Sequence, residues 1–340
     1  MDQHHRRGKR SSPTIRDVAA RAGVSIATVS RVVNGDERVG PEIRDAVTSA
    51  IAELGYRPNY FARSLRSART RSIAVLFPDL GIAPTAVYIA PIERAVRDKG
   101  YLPVFGTSYG DLAEERNALQ VLQDRNVDGI IWLPVNLPRS FEDLDDIRTP
   151  VVLNNASSER FSSVGLDVPA FVHDAVRILA RLGHRRLGYI HSANYAAPNE
   201  WREGFTAAAK AEGVEVASEY CRVFTTPDES ADGLRALLEC SPPPTAMLVS
   251  SFFVPAAYFT LARAGIRVPE DISIISGGDG EHVRFLSPRP DVLHVDYEER
   301  ARLLVDLLID QIEGRITAPV RILQHSTYLQ RESTLPAKRD

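Results

Sequence analysis

From Ser72 onward, short apolar runs alternate with amphipathic segments, and this alternation restricts the fold more than any other feature of the chain. The runs "SIAVLFPDL", "LPVFGTS", "VDGIIWLP" and "PVVLNN" read as strands buried in a parallel sheet. Helical stretches such as "AVYIAPIERAVRDKG" and "AEERNALQVLQDRN" lie between them. The pattern resumes with "RRLGYIHS", "CRVFTT", "TAMLVSS" and "ISIISGGD". Strand–helix alternation argues for open parallel sheets with right-handed crossovers. Two such blocks predict two lobes, with any ligand site at the strand carboxyl ends. Pro91 should bend or shorten the first of these helices, because it removes a backbone donor and crowds the preceding turn.

The segment before Ser72 has a different character. Residues 1–71 hold 14 Lys+Arg against 7 Asp+Glu, whereas the remainder holds 27 against 37. A net charge of −3 therefore conceals a basic head on an acidic body, the asymmetry expected when the head meets a polyanion. Within "TIRDVAARAGVSIATVSRVVNG" (14–35), Ile15, Val18, Ala19 and Ala22 recur at helical spacing, with Thr14 as N-cap. Gly23 supplies the permissive backbone of a sharp turn. Ser25 is placed to cap a second helix, whose Val29, Val32 and Val33 can pack back on the first. That leaves Ile26, Ala27, Thr28, Ser30 and Arg31 facing outward. Pro41 opens a third helix with an apolar stripe of Ile43, Val47, Ile51 and Leu54, and Gly55 can end it. Three short helices with a tight turn match a helix-turn-helix head, whose second helix enters the major groove. The alternative is a small helical subdomain whose glycine serves packing; the basic flanks favour DNA.

"GYRPNYFARSLRS" (55–67) joins head to body. Leu65 stands there among Arg63, Arg66 and Arg69. An apolar residue in that setting fits a helix lying in a minor groove, parting a base step while arginines hold phosphate. The head, then "RPNYFARSL", and later "PTAMLVSS", "RVPEDISIISGGD" and "QRESTLP", resemble the lactose-repressor (LacI/GalR) family of bacterial transcription regulators over nearly the whole chain. The resemblance implies an α-helical helix-turn-helix head plus an α/β body of two periplasmic-binding-protein-like lobes with parallel sheets. The chain would cross between lobes near Asp167, Asp296 and Leu323. The expected organisation is a basic tail (1–13), a DNA-binding head (14–55) and a hinge helix with linker (56–71), followed by a body (72–340). Within the body, lobe one would span about 72–167 and 297–323, and lobe two about 168–296 and 324–340.

Residue roles follow from chemistry and from matching positions. Arg31 is the first choice for base readout, since a guanidinium can bond guanine O6 and N7 together. Ile26 and Ala27 match positions that choose bases in the family, yet offer only apolar contact, for example to a thymine methyl. Arg38 matches a further DNA-reaching position. Thr14, Ser25, Thr28, Ser30, Asn34 and Tyr56 are phosphate candidates, which position without reading sequence. The resemblance makes Leu65 the hinge wedge at a central C-G step, with Asn59 and Ala62 on the same hinge. It also implies a homodimer or higher assembly on a palindromic operator of double-stranded DNA, and a small-molecule effector that shifts the paired hinges.

The effector pocket departs from the family pattern. "GIAPT" (81–85), with Pro84 and Thr85, replaces an aromatic-rich loop. Trp201 stands where an arginine is common. Ser250, Ser251 and Phe252 occupy the place of an Asn-Asp pair, and Gly278-Asp279 that of two aspartates. These losses argue against an ordinary sugar. Trp201 could stack on a ligand or simply pack in the core; Asp279 could bind a ligand or cap the next helix.

"GTSYG" (106–110) matches a nucleophile elbow, which would make Ser108 a hydrolase nucleophile with Asp279 and His294 in triad order. One strand precedes it where that fold builds several, and no HGGG-type loop is present, so the expectation is a non-enzyme. A solute-binding receptor without DNA chemistry is the other alternative, which the head argues against. The histidines show no metal spacing, "EDLDD" (142–146) reads as a solvated acidic face, and "GGDG" (277–280) lacks a dinucleotide fingerprint, so no cofactor is expected. Cys221 and Cys240 suggest no disulfide framework. The first residues lack an apolar signal core and no run reaches membrane length, which predicts a cytoplasmic protein with no membrane partner.

Overall fold

The computed structural model describes residues 13–33, 35–36, 38–56, 69–80, 83–134, 144, 146–193, 198–214 and 216–338. It divides into two units, Met1–Thr70 and Arg71–Asp340. Asn34, the hinge positions Asn59, Ala62 and Leu65, and most of the acidic run 142–146 lie outside the described residues.

The first unit contains α1 (Ile15–Ala22), α2 (Ile26–Val33) and α3 (Pro41–Leu54). Thr14 starts α1 through a capping box: its hydroxyl accepts from Asp17 N, while Asp17 Oδ2 accepts from Thr14 N at 2.7 Å. Gly23 then adopts φ +68°, a left-handed conformation that only glycine takes without steric cost. Ser25 Oγ accepts from Thr28 N at 3.1 Å and so starts α2. Val18, Ala19, Val29, Val47 and Ala50 are buried between the helices, with Val32, Val33, Ile51 and Leu54 packed around them. Ile43 departs from the expected stripe. It is 41% exposed, and Ala50 takes its place in the core, because three short helices cannot cover the first turn of α3.

The second unit begins with β1 (Ser72–Phe77), α4 (Ala83–Asp98), β2 (Leu102–Thr107), α5 (Leu112–Asp124), β3 (Gly129–Trp132), β4 (Val151–Asn154) and β5 (Ser162–Leu166). It continues through α6 (Val168–Arg181), β6 (Leu187–Ser192), α7 (Pro198–Ala211), β7 (Cys221–Phe224) and α8 (Pro227–Leu238). Next come β8 (Ala246–Ser250), α9 (Val254–Arg263), β9 (Ser273–Gly277), α10 (Glu281–Arg284) and β10 (Asp291–His294). The chain ends with α11 (Tyr297–Ile312), β11 (Arg321–Gln324) and β12 (Thr327–Leu329).

Two six-stranded sheets result, ordered β11-β5-β4-β3-β1-β2 and β12-β10-β9-β8-β6-β7. Every pairing is parallel except β12 with β10. β1 is buried along its whole length because helices cover both faces of its sheet, which is why it reads as an unbroken apolar run. The chain passes between sheets at Asp167, at Val295–Asp296 and at His325–Ser326. The last passage lies beyond the expected Leu323, since Leu323 and Gln324 still pair with Gly165 and Leu166. α4 runs through Pro91 without being shortened. Its Tyr88, Ile92 and Val96 are buried against β1 and α11, and this packing outweighs the one backbone bond a proline forfeits.

The "QRESTLP" segment has a structural task. Asp291 is fully buried and accepts from Arg331 N at 3.0 Å, Ser333 N at 2.9 Å, Thr334 Oγ1 at 2.8 Å and the Tyr328 hydroxyl. The carboxylate thereby seals the carboxyl-terminal strand and tail onto the second sheet. Burial pushes the Tyr328 hydroxyl pKa up, so it stays a donor.

Candidate DNA-reading and ligand sites

In the first unit, Val29 anchors α2 by its buried face and turns Ile26, Ala27 and Arg31 to solvent. The Arg31 side chain is exposed on this face, and its charge is felt at Asp36. Arg38 differs. Its Nε and Nη2 donate to Asp36 Oδ1 and Oδ2 at 2.9 and 2.8 Å, a two-pronged pair in the loop after α2. Those side-chain bonds, with one from the Arg38 backbone, hold the Asp36 carboxyl down to about 2.

Three phosphate candidates, Thr14, Ser25 and Thr28, sit at helix starts, where unsatisfied backbone N–H groups favour anions. The Ser25 and Thr28 hydroxyls lie 2.9 Å apart. Thr14 Oγ1 donates to Asp17 Oδ2 at 2.8 Å; bonds from the Thr14 N–H and hydroxyl lower the Asp17 pKa and put a negative charge beside that candidate. Ser30 is half-buried on α2, and Tyr56 packs against the helical core just past Gly55.

In the second unit, a cavity of about 370 Å³ opens at the strand carboxyl ends between the two sheets. One wall comes from the first lobe: Tyr88 on α4, Asn155 after β4, Ser163 on β5 and Arg300 on α11. Phe171, His191, Trp201 and Ser250 of the second lobe form the other. Trp201 is 9% exposed and belongs to both the cavity wall and the core; its ring stacks on His191 at 4.6 Å and meets Phe171 edge-on at 5.4 Å. Burial drives the His191 pKa down to about 3, so that wall is uncharged at neutral pH. Asn155 ties the first wall together: its Nδ2 donates to the Tyr88 hydroxyl at 2.8 Å, and its Oδ1 accepts from Leu166 N and Arg300 Nη1.

Of the sequence-derived pocket candidates, Trp201 and Ser250 line the cavity. Thr85 is buried in α4 but does not, and the Pro84 side chain lies outside the described residues. Ser251 and Phe252 turn away after the end of β8. The Ser251 carbonyl accepts from His282 Nε2, and Phe252 packs on Phe253 in the second lobe's core. Asp279 does not line the cavity and does not cap the next helix: Arg331 Nη2 donates to it at 2.9 Å, Arg284 and His294 lie nearby, and Gly280 starts α10. Arg300, Asn155, Tyr88 and His191 escaped the sequence reading. Arg300 had a usable signal, since it falls on the same helical face as Leu304 and Leu307, where a cation needs a reason.

The hydrolase arrangement is not assembled. Ser108 is fully buried and its Oγ has no hydrogen-bond partner, while His294 faces Asp279 in the other lobe. Among the described residues no cluster of His, Cys, Asp or Glu could hold a metal, and no helix is long and apolar enough to cross a membrane.

Comparison with known proteins gives a concordant picture. Residues 14–59 match the family of bacterial regulatory proteins, lacI family, and residues 176–334 match a periplasmic binding protein-like domain. The chain is 31% identical to the HTH-type transcriptional regulator CelR of Thermobifida fusca, over 96% of this chain and 99% of that protein. It is 31% identical to the HTH-type transcriptional repressor PurR of Pectobacterium atrosepticum, over 94% and 96%. A solved CelR–cellobiose complex superposes with a TM-score of 0.69 at 29% identity, covering 94% of this chain and 99% of that one. The lac repressor dimer bound to operator and the anti-inducer ONPF gives 0.84 at 23% identity, over 96% and 100%, a likeness of fold. The relatives are transcriptional regulators, not enzymes.

Proposed function

The chain belongs to the lacI family of bacterial regulatory proteins, and on that premise we propose that it is a repressor that binds a palindromic operator as a homodimer in the cytoplasm. A small molecule in the cavity of the second unit modulates that binding. The observation that carries the reading is the exposed face of α2, where Arg31 stands with Ile26 and Ala27 on a helix pinned from behind by Val29. Arg31 reads one base pair, and Ile26 and Ala27 supply methyl contacts that select more softly. Ser25, Thr28, Ser30, Asn34 and Tyr56 position the head on phosphates, and Leu65 is the minor-groove wedge of the hinge.

Two copies fit the exposed apolar side chains of the first lobe. β2 is an edge strand carrying exposed Leu102 and Phe105, and Tyr109 and Leu112 follow it. An uncovered apolar edge of this kind calls for a partner, and a two-fold pair of heads calls for a palindrome. The domain organisation of this reading is head 14–55, hinge 56–71 and body 72–340. The relatives include a regulator solved with cellobiose, and a sugar-like metabolite suits the cavity's size and its aromatic wall.

Selection of bound duplexes from a random library by the full-length chain, at near-physiological salt, tests this reading. Enrichment of a palindrome with a central C-G step is the expected result. A library that stays unenriched, both alone and with added metabolite pools, would sink it.

A further inference from the structure

Arg300 is 1% exposed, yet it lines the cavity. A guanidinium is charged at every pH a cell meets, and a buried charge is costly unless a counter-charge accompanies it. Among the described residues no carboxylate contacts it. Nε donates to Gln324 Oε1 at 2.8 Å and Nη1 donates to Asn155 Oδ1, both neutral amide oxygens. Nη2 is buried with no hydrogen-bond partner. The Tyr88 ring, 6.0 Å from Cζ, offers its face and no charge.

The neighbouring carboxylates, among them Asp167 on the cavity wall, make their hydrogen bonds to other groups. Asp167 Oδ1 accepts from Ala170 N at 3.1 Å to cap α6, and its other oxygen lies 3.6 Å from His325 Nδ1. Asp296 Oδ1 accepts from Glu299 N at 2.9 Å to cap α11, and Glu299 Oε2 accepts from Gln324 Nε2 at 3.0 Å. A second arginine, the exposed Arg321, lines the same cavity. From the other lobe Ser250 contributes a buried hydroxyl that has no hydrogen-bond partner. The cavity therefore presents on one side a fixed guanidinium that no described carboxylate contacts, and on the other a flat aromatic pair with a spare hydroxyl.

We infer that the cavity's ligand carries an anionic group, a carboxylate or a phosphate, which Arg300 holds while the rest of the molecule lies against the Trp201–His191 stack. This rests on the reading of the cavity as the effector site and assigns that effector a chemical class. Gln324 and Asn155 hold the guanidinium in place before any ligand arrives, so the anion meets a pre-organised fork.

The chain's two tryptophans make the test direct. Trp132 is fully buried in the first lobe's core and Trp201 lines the cavity, so a fluorescence change on ligand addition reports Trp201. The full-length protein is titrated with inorganic phosphate, acetate and gluconate, each against sodium chloride at equal ionic strength. A saturable change is expected that chloride does not give, with at least a ten-fold loss of affinity in Arg300→Met and a weaker but retained response in Arg300→Lys. A wild-type comparison of gluconate with neutral glucose needs no variant, and gluconate should bind at least ten-fold more tightly. No saturable response to any of the three anions, an unchanged response in Arg300→Met, or equal binding of glucose would each overturn the assignment. Operator selection on the same wild-type preparation separates the two readings. Its failure beside a specific anion response removes the DNA function and leaves the anion site standing; an operator found without an anion response removes only the anion.

Discussion

Val29→Ala offers a sharp test of how the head presents its reading face. Val29 is fully buried in the three-helix core, which among the described residues contains four other buried side chains, Val18, Ala19, Val47 and Ala50. The substitution removes two methyl groups. At about 0.8 kcal/mol per buried carbon, with a term for the cavity left behind, the cost is about 2 kcal/mol. A unit of roughly 40 residues carries a total stability of about 2–6 kcal/mol at ordinary density, so the change consumes a large fraction of it. The second unit has its own clusters, and Val29 belongs to none of them. Native-state hydrogen exchange on the full chain resolves the two units. Amides of α1 to α3 should lose protection by about thirty-fold, the factor equivalent to 2 kcal/mol, while those of β1 and β8 stay as they were. Operator affinity should fall with the folded fraction of the head. Equal loss of protection in β8, or no loss in α2, would refute the claim that Val29 stabilises the head independently of the second unit.

Three further outcomes are expected. Arg31→Ala should cost about 1–3 kcal/mol on the best operator and flatten preference at one base pair, read by repeating the selection; an unaltered preference profile would remove its base-reading role. Asp291→Ala should lower the second unit's stability by about 2–4 kcal/mol, because it strands several donors of the tail, and a thermal melt that matches wild type would contradict this. Burial holds His191 at about 3 against 6.5 in the unfolded chain, so between those values the unfolded state binds the extra proton. Its contribution is present above pH 6.5 and declines toward pH 3, at up to about 1.4 kcal/mol per pH unit. His191→Phe should flatten that slope in urea melts across the window, and an unchanged slope would discount the burial argument.

What could be read from the sequence was what short-range physics encodes. Thr14, Gly23 and Ser25 act within a few residues of themselves, so caps and turn could be located from the chain alone. The body's alternation likewise reflects burial of each strand on two faces. Ile43 lies on the apolar stripe yet is exposed, because helical spacing says which face is apolar, not how far the neighbours extend over it. Pro91 does not shorten its helix, whose Tyr88, Ile92 and Val96 are buried on either side of it. The cavity suffered most. Ser250 faces the cleft while Ser251 and Phe252 do not, a difference made by the turn at the end of β8. Asp279 finds Arg331, a partner from the far end of the chain that no local pattern announces.

The placement of Arg300 explains how binding in the cavity can be felt beyond it. A ligand shifts an equilibrium only through a difference in affinity between two states, and moving it from 1:99 to 99:1 needs about 5.5 kcal/mol of such difference. A site built within one rigid lobe could not supply it, since its contacts would be the same in either state. This cavity draws Arg300, Asn155 and Tyr88 from the first lobe and Trp201, His191 and Ser250 from the second, so a ligand spanning it is sensitive to their separation. Arg300 lies one helical turn past the passage at Val295–Asp296, and its acceptor Gln324 immediately precedes the passage at His325–Ser326. Gln324 Nε2 donates back to the Asp296 carbonyl at 2.8 Å, joining the two passages through the same side chain that orients the guanidinium. An anion held by Arg300 therefore binds beside two of the three passages that join the lobes.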